Sequence, residues 1–121
     1  MQQNTGDQEN PMAQVEMQQA IQDLMTCHNV CIQTAKNDLK AGGEHAQDAH
    51  IHMLEDCADL CQTAAHFLQH SNPLYGYVTQ AAYQVTNHCQ EECERMGDTE
   101  CANACKNAAW AMDQVNKMVA F

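Results

Sequence analysis

Eight cysteines fall into four copies of C-x-x-x-C: Cys27/Cys31, Cys57/Cys61, Cys89/Cys93 and Cys101/Cys105, with none outside these pairs. Thiolates are soft ligands that select Cu(I), Zn(II) or iron–sulfur clusters. In a helix, residues four apart stand one above the other on one face, because a turn holds about 3.6 residues. Each pair therefore projects two thiols along one edge of one helix. This spacing organises the whole chain around a thiol-lined seam.

A lone buried cysteine is an ordinary small hydrophobe, but four pairs at one spacing on four helices are not ordinary core filling. Charge separates the candidate metals. In a dry core unpaired charge is very costly. Eight thiolates holding two Zn(II) keep a formal charge of −4, whereas a comparable number of Cu(I) ions brings the seam close to neutral. Cu(I) also accepts two or three sulfurs, which an i,i+4 pair begins to supply, while zinc wants a tetrahedron. Iron–sulfur motifs usually cluster several cysteines in one loop, and here the pairs are spread over helices. Geometry and charge thus favour Cu(I), several ions per chain. The alternatives are a disulfide-stapled helical scaffold or chaperone module, in an oxidising compartment, and a Zn(II) or iron–sulfur thiolate protein.

The elements that must carry these pairs are legible from punctuation. Residues 1–10 form a polar, Gln/Asn-rich tail, disordered or extended. Asn10-Pro11 offers a capping side chain followed by proline at the first helical position. Apolar residues then recur at helical spacing up to Gly42-Gly43, which end the first helix. Four helices are expected, over about 11–41, 44–70, 73–96 and 99–120, inside one domain spanning 11–121. Asn72-Pro73 opens the third helix, Gly97 ends it, and Asp98 caps the fourth. No stretch alternates at strand length. Short loops make neighbours antiparallel, so the fold class is all-α, an up-down-up-down four-helix bundle. Counted from the turns, all four thiol pairs can share one slab of its interior.

Composition removes several function classes. A net charge of −11 with five Lys and Arg leaves nothing to neutralise a phosphate backbone or to hold an anionic membrane surface. No apolar run reaches bilayer length. Met1 to Pro11 has neither a basic nor an apolar region of a targeting signal. The chain as given is expected in the cytoplasm, or in the periplasm if a signal was removed. Eight equivalent thiols do not describe a single nucleophile beside its base. No C-x-x-C pair, phosphate loop or paired-carboxylate signature is present, so the expectation is a binding protein and not an enzyme.

Seven His and eight Met are many for 121 residues. His50 and Met53 continue the inward stripe of Cys57 toward the Gly42-Gly43 turn, and Met96 follows Cys93 toward the same end. His45 and His52 belong near that end. His28 and His88 adjoin thiols in sequence, about 100° around the helix from them. His66 and His70 read as surface residues, Met17 and Met112 as core filler. Phe67, Tyr83 and Trp110 read as packing between helices or subunits. Asp98 places Cys101 at the third helical position, where the helix dipole favours a thiolate.

The spans CHNVC-x-QTA, CADLCQTAAHFL and HCQEECERMGDTECANAC, with the NPLYGYV linker, resemble the copper storage proteins. The similarity runs from about Met17 to Met118 and is most specific from Cys89 to Cys105. The resemblance implies a cysteine-filled four-helix bundle, often a homotetramer, that stores Cu(I) for homeostasis. It carries Cu(I) ligation onto all eight cysteines, although the richest members have more. It also implies His and Met at one open end, which makes His50, Met53 and Met96 the expected loading site. Copper ions are then the ligands, with a copper chaperone or cuproenzyme as a conceivable exchange partner.

Overall fold

The computed structural model describes residues 11–119, with side-chain environments from residue 14 onward. The expected polar tail over residues 1–10 lies outside the described residues, as do residues 120 and 121. Four helices follow one another: α1 Pro11–Ala41, α2 Asp48–Gln69, α3 Tyr75–Met96 and α4 Thr99–Lys117, with a 3-10 turn at Gly43–Ala46 between α1 and α2. No strand occurs among the described residues. Each helix packs against its chain neighbours, and α1 also packs on α4, so the four close into a bundle around one core.

The turns show why the helices stop where they do. Gly97 takes φ 79°, its N–H donates to the Glu94 carbonyl at 3.2 Å, and the Asp98 N–H donates to the Cys93 carbonyl at 2.8 Å. This is the Schellman arrangement, which favours glycine because a side chain is strained at positive φ. At the end of α1 the Gly42 N–H donates to the Asp38 carbonyl at 3.2 Å, and Gly42 leaves the helix at φ 74° and ψ −170°, a conformation open to glycine.

Two helix starts differ from the sequence expectation. The second helix begins at Asp48, not residue 44, because Gly43–Ala46 winds into a 3-10 turn and Gln47 is extended. That detour carries His45 across to the end of α3. The third begins at Tyr75, not residue 73. The Asn72 side chain accepts the Leu74 N–H at 2.8 Å, so Asn72 to Leu74 forms a turn before the helix starts.

The core is built from Ala, Cys and a few larger residues. Leu24, Leu54, Met112, Val115, Thr79 and Thr86 are the largest fully buried side chains besides the cysteines. Burying each Leu or Met contributes about 1.5–3 kcal/mol. Small buried alanines (Ala58, Ala64, Ala65, Ala82, Ala108) share the core with the sulfurs. The antiparallel order puts the end of α1, the start of α2, the end of α3 and the start of α4 at one end of the bundle, here called the mouth. The α2–α3 turn, the start of α1 and the end of α4 make the opposite end, the foot.

Candidate metal centre

The i,i+4 spacing does locally what it must: each C-x-x-x-C pair faces inward. All eight cysteines are buried and are free thiols. Within α1 the sulfurs of Cys27 and Cys31 lie 3.9 Å apart, and within α3 those of Cys89 and Cys93 lie 4.0 Å apart. Across helices, Cys27 meets Cys105 at 3.6 Å, Cys31 meets Cys101 at 3.6 Å, and Cys31 meets Cys105 at 3.9 Å.

Two quartets result. Cys27, Cys31, Cys57 and Cys105 form one, and Cys31, Cys89, Cys101 and Cys105 the other, each with all sulfurs within 4.8 Å of one another. They share Cys31 and Cys105. Cys61 adjoins the first quartet through Cys27 and Cys57, and Cys93 adjoins the second through Cys101 and Cys89. The eight sulfurs make one continuous seam.

Burial works against ionisation at every one of these thiols. Hydrogen bonds among the sulfurs pull individual thiols in opposite directions. Cys101 is pulled down to about 5, chiefly by its hydrogen bond with Cys105. Cys57 is lowered chiefly by Cys105, and Cys31 chiefly by Cys101. Cys89, Cys93 and Cys105 are raised, each chiefly by its hydrogen bond with Cys101.

The mouth carries different chemistry. His50 is buried, with Nε2 2.7 Å from Asp38 Oδ2 and 3.2 Å from Asp98 Oδ2. His45 Nε2 lies 2.9 Å from the Met96 carbonyl oxygen and 3.8 Å from Asp98 Oδ1. Asp38, His45 and Asp98 are themselves close enough to hold an ion. Burial first, and then Asp38 alongside, raise the Asp98 carboxyl to about 6, against the opposing pull of His50.

Of the expected loading residues, His50 and Met96 are buried and Met53 is half-buried against the core. Asp38 and Asp98 had not been singled out as part of this end. Asp98 occupies the N-cap position of α4 and its carbonyl accepts the Ala102 N–H at 2.9 Å, but its side chain makes no capping bond. The carboxylate is turned to His50 instead. Asp38 carried a readable signal, since it lies seven residues after Cys31 on the inward stripe of α1.

The remaining histidines sort simply. His28 Nδ1 lies 2.7 Å from the Ala58 carbonyl oxygen, tying α1 to α2. His52, His66, His70 and His88 are exposed. Met112 is fully buried core and Met17 half-buried. Trp110 is 66% exposed, so it does not pack between helices of its own chain.

The solved structure of the Nmul_A1745 protein from Nitrosospira multiformis superposes on this fold with a TM-score of 0.84 at 25% sequence identity, covering 88% of this chain and 99% of that one. No curated protein matches the sequence. Residues 13–117, nearly the whole bundle, match the copper storage protein family. With four inward-facing thiol pairs merging into a single buried seam, this chain belongs to the copper storage protein family.

Proposed function

We propose that the protein stores Cu(I) on the thiolates of Cys27, Cys31, Cys57, Cys61, Cys89, Cys93, Cys101 and Cys105. The observation that carries this reading is the overlap of the two sulfur quartets at Cys31 and Cys105. Thiolates shared between neighbouring sites suit an array of two- and three-coordinate monovalent ions. Each ion displaces thiol protons, so uptake releases protons and is stronger at higher pH. Ions move from pair to pair along the seam without chemistry on a substrate. The chemistry asks for no catalytic residue and for a setting that keeps thiols reduced.

His50, Met53 and Met96 form the loading site at the mouth. Imidazole and thioether both accept Cu(I), and the three residues share the end of the bundle where buried polar groups gather. Exchange with a copper chaperone or cuproenzyme would occur there. The family resemblance supports a homo-oligomer, a tetramer, and the exposed Trp110, Tyr77 and Leu74 offer apolar surface for it.

Zinc is the second reading, favoured by one measurement. A tetrahedral Zn–S bond of about 2.3 Å puts sulfurs about 3.8 Å apart, and the seam shows 3.6–4.0 Å. Zinc nevertheless requires four sulfurs per ion, and the two quartets hold six distinct thiols between them. Anaerobic titration with Cu(I) against a competing chelator, with thiol protection and proton release recorded together, separates the readings. Storage predicts that all eight thiols are protected by Cu(I) and that Zn(II) does not displace it. Protection by Zn(II) that resists excess Cu(I) would overturn the copper assignment.

A further inference from the structure

His50 has an unusual pair of ring environments. Its side chain is 5% exposed, and Nε2 faces two carboxylates, Asp38 at 2.7 Å and Asp98 at 3.2 Å. Nδ1 is buried and meets no hydrogen-bonding group among the described residues. Three protonation forms can be weighed against this geometry. An imidazolium would bury an Nδ1–H donor with no acceptor, an arrangement proteins rarely tolerate. The tautomer carrying hydrogen on Nδ1 would do the same, and would also aim the Nε2 lone pair at two carboxylates. Only the tautomer with hydrogen on Nε2 lets that N–H donate to Asp38, with Asp98 as the longer acceptor. It leaves a bare lone pair on Nδ1.

We infer that His50 receives incoming Cu(I) on Nδ1, in a tautomer and ring orientation imposed by Asp38 and, more weakly, Asp98. The inference rests on the proposed storage function and deepens its loading site. A metal-binding imidazole characteristically donates its other N–H to a carboxylate, which fixes the tautomer and makes the ligating nitrogen more basic. Here the carboxylate side of that arrangement is already assembled. Asp38 and Asp98 are positioning residues, acting through His50. The competing placement sets an ion among Asp38, His45 and Asp98. An ion there would draw on the two carboxylates that accept the Nε2–H of His50 and would leave the bare Nδ1 still without a partner.

The test uses the full reduced chain with nitrogen-15-labelled histidine, titrated anaerobically with Cu(I) and followed by NMR. Before metal, His50 should show the Nε2–H tautomer. On the first additions its Nδ1 resonance should move while the Nε2–H is retained. Chelator-to-protein transfer should slow about 10-fold in Asp38→Ala, the size expected for losing such a partner. Asp38→Asn, which can still accept the Nε2–H, should recover most of the rate. Final copper content should match the parent in both. If Asp38→Ala does not fold, the tautomer and Nδ1 shift of the parent decide alone. An Nδ1–H tautomer, an imidazolium, or movement at Nε2 would overturn the assignment. So would an Nδ1 resonance unmoved while the thiols fill, and that outcome would leave storage intact. Thiols that stay unprotected throughout would instead remove the storage reading, and this inference with it.

Discussion

The two ends of the bundle are made by the same four helices yet are finished differently. At the foot, Leu24, Met112 and Val115 are buried together with Thr79, whose hydroxyl is tied to Asn116 across α3 and α4. At the mouth the buried residues include Asp38 and His50, with half-buried Asp98 and His45 beside them. An apolar plug holds helices together and offers an ion nothing. A buried imidazole between two carboxylates is expensive to maintain unless paired, and this is the end where we propose that ions load. The seam lies between the two. With the proposed loading site, the contrast puts stability mainly at the foot and would put exchange mainly at the mouth.

The largest effects should divide along that line. Leu24→Ala empties a fully buried site and should cost about 2–5 kcal/mol of unfolding free energy, read by denaturant melts of the metal-free protein. Its copper content should stay that of the parent. Cys31→Ala with Cys105→Ala should do the reverse. Each quartet loses two of four sulfurs, and Cu(I) content should fall by roughly half or more, since soft sites need at least two or three thiolates. Pairing Cys61→Ala with Cys93→Ala, which lie outside both quartets, should cost less copper. If the peripheral pair proves as damaging as the shared pair, the overlap of quartets is not what holds the metal.

Much of this was visible in the chain itself, because it is local. The C-x-x-x-C spacing shows which helix edge bears sulfur, and Gly42-Gly43 and Gly97 mark helix ends through positive φ. What stayed hidden depends on how the rods meet. No spacing rule says that Cys31 faces Cys101 and Cys105, because that register is set by packing of α1 on α4. Asp98 stands at the N-cap of α4 as expected, but the partner of its side chain does not follow from the sequence. A capping carboxylate and a partner for buried His50 are competing uses of one side chain, and the second won. The start of α2 was misplaced because two glycines in succession allow a 3-10 detour that hydrophobic periodicity does not report.

The mouth should also be the more pH-sensitive end. The Asp98 carboxyl is raised to about 6, first by burial and then by Asp38 beside it. A carboxyl whose folded value lies above its unfolded one near 3.8 holds its proton more tightly when folded. Its contribution to stability is therefore complete below the unfolded value and is lost as pH rises through about 6. Compared with Asp98→Asn, which keeps a neutral amide throughout, the metal-free parent should gain stability as pH falls from about 7 to about 4. The gain should be about 1–2 kcal/mol after allowing for partial solvent screening. A flat difference, or one that grows with pH, would contradict the description of the mouth as crowded with acid.

The foot supplies the smallest and cleanest test. The Thr79 hydroxyl donates to Asn116 Oδ1 at 2.8 Å, and the Asn116 amide approaches the Thr79 carbonyl at 3.5 Å. Thr79→Val keeps the branched shape and removes the donor. Asn116 is only half-buried, so water can take over its freed oxygen and the net cost should be about 1 kcal/mol. The value of this variant lies in what it should leave alone. A foot that only clamps α3 to α4 can loosen by that amount without altering how fast copper passes the opposite end. Stopped-flow transfer from a chelator should therefore be unchanged while the unfolding midpoint drops. If Thr79→Val changes the loading rate instead, the two ends are coupled through the helices, and the division of stability from exchange along the bundle fails.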